Sequence, residues 1–269
     1  MKKYSFKNYL DERLGKKSFA AIIIGYIAFC FISAIVWCVL FNAKKIFLSL
    51  AFIVIVPLIF ILEYVSGIQL NELLSAMVLF LPVGAILGFS FNLYILLPGL
   101  DTFMHAISGV VFAGIGFSFA EKFFGKPKTN KLFYGCLAFA VCFSISISVF
   151  WEFYEYVSTS LTDKDMMADT IVNEIHSGIL SGVHAETLKI DGITQTVIYY
   201  GEGQSYVIDG YLDIGLLDTM SDLIICTVGT LVYSILALLS YFKYPKLNEL
   251  LIPSVAEDTA YEEEPLVNT

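Results

Sequence analysis

Residues 132–156 read LFYGCLAFAVCFSISISVFWEFYEY, and this stretch decides the fold. No charged residue occurs between Leu132 and Trp151, and most of the residues are apolar. A helix of about 20 apolar residues crosses the hydrocarbon core of a bilayer. The stretch therefore predicts a membrane-spanning helix with two carboxylates, Glu152 and Glu155, at its carboxyl end.

The rest of the chain has the same apolar character. Hydrophobic residues make up 57% of the 269 residues and charged residues 15%, and the mean hydropathy is +0.75. These values predict an all-α polytopic membrane protein. Pro57 and Pro82 are predicted to kink the second and third spans. Because only Pro98-Gly99 separates the third span from the fourth, five or seven spans remain alternatives to six. The six predicted spans are residues 18–42, 46–65, 73–97, 101–121, 132–156 and 217–242.

The distribution of lysine and arginine predicts the orientation in the membrane. Basic residues cluster before the first span, between spans four and five, and just after the last span. Short loops rich in Lys and Arg stay on the cytoplasmic side, so both termini are predicted to be cytoplasmic. The predicted organisation is a basic cytoplasmic tail (1–17), spans one to five (18–156), an external loop (157–215), the last span (216–242) and an acidic cytoplasmic tail (243–269).

The net charge of −9 excludes some function classes. The chain has no basic patch of the kind that nucleic acid needs, so no nucleic-acid partner is expected. The tail from about residue 254 is predicted to be disordered and solvated. All five cysteines lie inside predicted spans, which argues against a disulfide-stapled external loop and favours their packing as small apolar residues.

Three pairs of ionisable residues lie at the predicted external ends of spans four to six. Members of each pair are three or four residues apart and therefore share one helix face. Charged groups within membrane segments usually face a bundle interior and mark a functional site. The pairs are Asp101 with His105, Glu152 with Glu155, and Asp218 with Asp222.

Lysines at the predicted cytoplasmic ends place these pairs at one depth. Each of three acids lies 21 positions from a cytoplasmic lysine, which is about 30 Å along a helix. That length matches one hydrocarbon thickness. The three combinations are Asp101 with Lys122, Glu152 with Lys131, and Asp222 with Lys243.

Other interpretations of the pairs remain open. Asp101 and Asp218 could each be the N-cap of a helix. Glu152 and Glu155 are predicted to lie in the last turns of span five, where the helix dipole disfavours negative charge. A nearby cation, or protonation, would remove that conflict.

Two further patterns bear on the surroundings of these pairs. Ala106, Gly109, Ala113 and Gly116 form a stripe of small residues, which lets membrane helices approach closely, and Ser144 could hydrogen-bond to a neighbouring helix. In the external loop, the segments 193–200 and 205–208 flank Gly201-Glu202-Gly203 and predict a small β-hairpin.

At the three pairs the chain resembles the YjdF-like family of bacterial inner-membrane proteins. The resemblance lies in Asp101-Thr-Phe-Met-His105, Glu152-Phe-Tyr-Glu155 and Asp218-Thr-Met-Ser-Asp222, and covers spans four to six. It implies a multi-pass protein of the bacterial plasma membrane. It implies no settled activity.

These observations support three hypotheses of function. In the first, the six residues hold a divalent metal ion (Mg²⁺, Mn²⁺, Ca²⁺ or Zn²⁺), and the protein is an enzyme that acts on a membrane lipid or cell-envelope precursor. Glu155 and His105 are then the catalytic candidates, as a ligand or general base. In the second, the residues belong to a cation or proton-coupled transporter. In the third, the metal clamps three helices of a structural or sensory protein.

Overall fold

The computed structural model describes residues 5–97, 99–162 and 164–255. These residues include six helical segments that are long and apolar enough to cross a membrane, which confirms the predicted fold class. The spans are Lys17–Val39, Ala43–Ser66, Glu72–Ser90, Leu100–Phe124, Asn130–Leu161 and Leu216–Phe242. Large apolar side chains such as Ile24, Phe47 and Ile235 are exposed along them, as the surface of a lipid-embedded helix requires.

Eleven α-helices occur within the described ranges, and the spans are built from seven of them. They are α1 (Phe6–Gly15), α2 (Lys17–Val39), α3 (Ala43–Ala51), α4 (Ile55–Ser66), α5 (Glu72–Ala85), α6 (Leu93–Leu96), α7 (Leu100–Phe124), α8 (Asn130–Leu161), α9 (Gly178–Ser181), α10 (Leu216–Phe242) and α11 (Asn248–Leu251). Short strands lie between them: β1 (Ile68–Gln69), β2 (Thr170–Val172), β3 (Ile175–Ser177), β4 (Leu188–Ile190), β5 (Thr196–Tyr200), β6 (Gln204–Ile208), β7 (Tyr211–Asp213) and β8 (Ser254–Val255).

Prolines coincide with irregular turns in spans two and three. A 3₁₀ turn, Phe52–Val54, separates α3 from α4, just before Pro57, which has no N–H to donate to the preceding turn. The π-helical turn Ile86–Ser90 follows α5, which contains Pro82. The irregular hydrogen bonding therefore falls where the sequence predicts kinks.

The described chain divides into two compact units. The first contains the residues up to Ile147 and those from Ile225 onward, and the second is Ser148–Ile224. The first unit holds two clusters of buried apolar residues. One includes Phe19, Phe60 and Leu74, and the other includes Phe117 and Tyr233. These clusters fix the helices of the first unit against each other.

The predicted basic tail contains a structured helix, α1. Its Arg13 is only 2% exposed and forms a two-pronged ion pair with Glu63 of α4, at 2.9 Å from Nη2 to Oε1 and 2.9 Å from Nε to Oε2. The Tyr9 hydroxyl also donates to Glu63, and the Leu70 backbone N–H donates to Oε1 at 2.8 Å. This cluster binds α1 to the rest of the first unit.

The segment after α10 returns to the first unit. Leu251 of α11 is 6% exposed, the Ser118 hydroxyl donates to the Pro253 carbonyl at 3.2 Å, and β8 pairs antiparallel with β1. The prediction of disorder from about residue 254 is therefore wrong for Ser254–Val255, which form a strand. The acidic cluster of the predicted tail, residues 257–264, lies outside the described residues.

Most of the strands belong to the second unit. β2 pairs with β7, β3 with β4, and β5 with β6, each pair antiparallel. β5 and β6 form the predicted hairpin, with Tyr200 opposite Gln204 across the turn. This unit thus combines a small β element with the ends of α8 and α10.

Candidate functional site

Three carboxylates of the second unit lie together. Glu152 and Glu155 of α8 and Asp222 of α10 each place one oxygen within 4.8 Å of the others. All three residues are buried, with 5%, 7% and 3% of their surfaces exposed. The spacing of three residues on α8 turns both glutamates to one face. These carboxylates, the carboxylate cluster, are the centre of the candidate site.

The carboxylates of this cluster repel one another when all are ionised, so the site favours positive charge. Two unit charges at this separation repel by about 3 kcal/mol at the effective dielectric constant of about 20 that suits protein sites. Three such pairs sum to roughly the whole stability of a typical domain. A bound cation, a neighbouring cationic group or protons can each relieve this repulsion. The carboxylate cluster could therefore hold a metal ion.

The structure corrects one argument for this site. α8 ends at Leu161, five residues beyond the predicted end of span five. Glu152 and Glu155 are consequently not in the last turn of the helix, and the dipole effect is confined to that turn. Burial and mutual proximity, rather than the helix dipole, set the two glutamates apart.

The proposed N-cap roles of Asp101 and Asp218 are also wrong. α10 begins at Leu216, and the carboxylate of Asp213 accepts the Leu217 N–H at 2.9 Å, as a capping side chain does. Asp218 lies inside the helix, accepts the Ala168 N–H at 2.9 Å, and has an oxygen within 4.8 Å of Asp222. The N-cap of α7 is Gly99, so Asp101 is a first-turn residue.

The remaining predicted pair belongs to the first unit. His105 of α7 is 7% exposed, and its Nε2 lies 3.9 Å from Oδ2 of Asp101. That distance exceeds a hydrogen bond but permits electrostatic attraction if the imidazole is protonated. As predicted from the spacing of four residues, the two side chains lie on one face of α7.

Three spans of the first unit share a hydrogen-bonded contact next to this pair. The Ser144 hydroxyl of α8 donates to the Gly109 carbonyl of α7 at 3.0 Å and lies 2.8 Å from the Thr230 hydroxyl of α10. Gly109 is one helical turn after His105, and it belongs to the predicted stripe of small residues. The contact holds α7, α8 and α10 in close register.

Sequence reasoning overlooked three residues near these sites. Thr230 gave no signal because a single threonine in an apolar helix usually packs or bonds to its own helix. Asp213 was recognisable as a cap, since it precedes Gly215 and the start of an apolar run. Ala168 contributes only its backbone N–H, which no sequence pattern reveals.

Comparison with protein families gives a match over most of the chain. A family described as "Predicted membrane protein (DUF2238)" matches residues 21–243, a range that includes all three pairs. No curated protein and no solved structure matches the chain significantly. The match agrees with the YjdF-like resemblance, because YjdF belongs to the same family. The chain is therefore a member of the predicted membrane protein family DUF2238.

Proposed function

We propose that this membrane protein binds a divalent cation and uses it in an enzymatic reaction on a membrane lipid or cell-envelope precursor. The carboxylate cluster carries the proposal, because three buried acids with oxygens within 4.8 Å of one another form a group that could hold a metal ion and that favours positive charge. A divalent ion supplies that charge and coordinates carboxylate oxygens at the same time.

The ligand set of the proposal extends beyond the carboxylate cluster. The further proposed ligands are Asp218, Asp101 and His105. Their spacing on each helix and the common depth predicted from the sequence support this choice. An oxygen-rich set with one imidazole suits Mg²⁺, Mn²⁺ or Ca²⁺, and it also accepts Zn²⁺.

A divalent ion at the depth of the lipid headgroups would supply the chemistry of the proposed reaction. A divalent cation polarises a phosphoryl or carbonyl oxygen, or lowers the pKa of bound water. Glu155 and His105 are the residues proposed to accept or deliver a proton at the reacting group. Lipids and lipid-linked precursors are the substrates that meet a site at this depth.

The distribution of lysines supports the location that we propose. It favours an orientation with both termini in the cytoplasm and the proposed cation site at the external ends of spans four to six. Membership of a family that includes a bacterial inner-membrane protein, as the YjdF-like resemblance implies, favours the bacterial plasma membrane.

A cation or proton-coupled transporter is the second candidate. The first unit contains buried hydroxyls on α8 and α10: Ser144 and Thr230 are fully buried, and Ser234 is 8% exposed. Such groups can line a path for an ion or proton.

A structural or sensory protein with a metal clamp is the third candidate, and it predicts unfolding when ligands are removed.

Metal content of the purified protein tests the proposal. Wild-type protein, prepared without chelators and resupplied with divalent ions, is expected to carry a near-stoichiometric ion by plasma mass spectrometry. Glu152→Gln/Asp222→Asn should lose it, and His105→Gln should bind it more weakly. The matched control, Glu202→Gln/Asp191→Asn, removes two exposed acids of the same unit and should keep the ion.

The outcomes separate the three candidates. A metal-free wild type would overturn the metal hypothesis and make proton-coupled transport the leading function. Metal loss with an unchanged melting temperature supports an enzyme site, whereas metal loss with unfolding supports a clamp. Glu155→Gln then tests catalysis, because it removes a proton acceptor while leaving other ligands in place.

A further inference from the structure

A second candidate ligand site lies in the first unit, at the start of span two. Lys44 and Lys45 occupy the first turn of α3, whose N-cap is Asn42. The amino end of a helix carries partial positive charge, so two lysines there are placed against the local electrostatics. An anionic ligand would reverse this disadvantage, since exposed helix N–H groups and lysines attract the same negative charge.

Lys45 is held in one position rather than extended into solvent. Its Nζ donates to the Ser90 carbonyl at 2.5 Å and lies 4.0 Å from the centre of the Trp37 ring. Neither contact neutralises the ammonium group. Among the described residues, no acidic side chain forms an ion pair with Lys44 or Lys45.

The surroundings of Lys45 contain polar groups that lack partners. Within the described ranges, the Trp37 indole N–H has no acceptor, and the hydroxyl of the fully buried Ser90 has no hydrogen-bond partner. Lys45 itself keeps two N–H donors after its bond to Ser90. Donors therefore outnumber acceptors at this position, and a ligand rich in oxygen acceptors would complement them.

The apolar residues around this position indicate where the ligand comes from. Phe41, between α2 and α3, is 95% exposed, and Phe47 and Leu40 are 75% and 59% exposed. In a membrane protein such residues contact acyl chains, while the neighbouring lysines reach the headgroup region.

We propose that Lys44 and Lys45, with Trp37 and Ser90, form a binding site for the phosphate group of an anionic phospholipid. The lysines supply the charge, the indole and hydroxyl groups supply directional hydrogen bonds, and Phe41 and Phe47 contact the acyl chains. This site is independent of the carboxylate cluster and of the function proposed for it. Free inorganic phosphate shares the headgroup chemistry, and the experiment must separate the two sources.

Native mass spectrometry of the detergent-purified full chain tests the proposal. The probes are phosphatidylglycerol, phosphatidylcholine and inorganic phosphate, each added alone and in competition. Lys44→Gln/Lys45→Gln is expected to lower phosphatidylglycerol retention about tenfold, since each lysine near an anionic lipid contributes appreciable attraction. The control is Lys128→Gln/Lys131→Gln, which removes two exposed lysines, one of them also in the first turn of a helix.

The result expected is retention of phosphatidylglycerol by wild type and control and loss of it in the Lys44/Lys45 variant. Equal retention in wild type and variant overturns the proposal, as does an equal loss in the control. Displacement of lipid by millimolar phosphate, with no preference between the two lipids, overturns the lipid assignment in favour of a free phosphate. If the double variant melts at a lower temperature, Lys44→Gln alone serves, because its exposed side chain can be truncated without loss of the Ser90 contact, and about threefold weaker retention is expected.

Discussion

Gly229 of α10 lies directly against the carbonyl oxygen of Ala106 on α7. A Cβ atom built on Gly229 would be 2.1 Å from that oxygen. The contact is reciprocal, because a Cβ on Gly109 would lie 2.1 Å from the Cys226 carbonyl oxygen. Two backbones meet here without intervening side chains, as small residues allow in membrane helices.

This contact predicts a large effect from one methyl group. Gly229→Ala should destabilise the protein by about 1–3 kcal/mol, since backbone atoms cannot move aside without shifting a helix. Gly25→Ala is the matched control, because a Cβ there meets nothing within 4 Å, and alanine should be neutral or stabilising in that helix. Thermal unfolding in detergent measures both, and equal melting temperatures for the two variants would contradict the packing described.

Removing the charge of Glu63 should also have a strong effect on the stability of the protein. Glu63→Gln leaves the buried Arg13 without its counter-charge, and breaking such a pair costs about 3–5 kcal/mol. Arg13→Met/Glu63→Met removes both charges and should recover part of that loss. Asp11→Asn, an exposed change on the same helix α1, should leave the midpoint of detergent unfolding unchanged; a shift as large as that of Glu63→Gln would refute the assignment.

Adjacent leucines in α11 test the return of the chain to the first unit. Leu251 is 6% exposed and Leu250 is 50% exposed. Leu251→Ala should lower the free energy of unfolding by about 2–5 kcal/mol through the cavity it leaves, and Leu250→Ala by much less. Circular dichroism during heating measures the difference. Similar losses in both variants would mean that α11 does not dock as described.

Asp169 predicts a pH effect in the β element of the second unit. Partial loss of hydration raises the pKa of the largely exposed Asp169, and the nearby carboxylates of Asp165 and Asp213 raise it further. An acid whose pKa is higher in the folded state favours folding at low pH. That contribution is lost as the pH rises from the ordinary value near 4 through the folded value.

Removing this carboxylate should therefore stabilise the folded β element at neutral pH. In Asp169→Asn, amides of β2 and β7 should exchange more slowly than in wild type at pH 7, with the difference fading toward pH 4 after correction for intrinsic exchange. The effect is small because Asp169 is exposed. Asp191→Asn is the control and should show no such gain; faster exchange in Asp169→Asn at pH 7 would contradict the sign.

Sequence was sufficient for the fold class because bilayer crossing depends on length and apolar composition alone. The spans, the irregular turns near Pro57 and Pro82, and the β5–β6 hairpin all follow from local patterns. The Arg13–Glu63 pair does not, since 50 residues separate its members and one of them resembles an ordinary residue of a basic tail.

Part of the candidate site was also predictable, because it follows from local sequence patterns. Spacing on one helix placed Glu152 with Glu155, and common depth suggested Asp222 as their neighbour. The end of α8 at Leu161 was not predictable, because the aromatic residues near Glu155 suit a membrane interface as well as a continuing helix. The role of Asp218 depends on the Ala168 backbone, whose position only the folded loop determines.

The pairing of β1 with β8 has a consequence for biogenesis. Ser254 donates to the Gln69 carbonyl across 185 positions of sequence, so this pair cannot form until nearly the whole chain has left the ribosome. Until then β1 presents unpaired backbone groups beside α4 and α5. Membrane insertion of all six spans thus precedes closure of this strand pair, and a ribosome stalled within α10 should leave a nascent chain whose first three spans are inserted but accessible to proteases near Gln69.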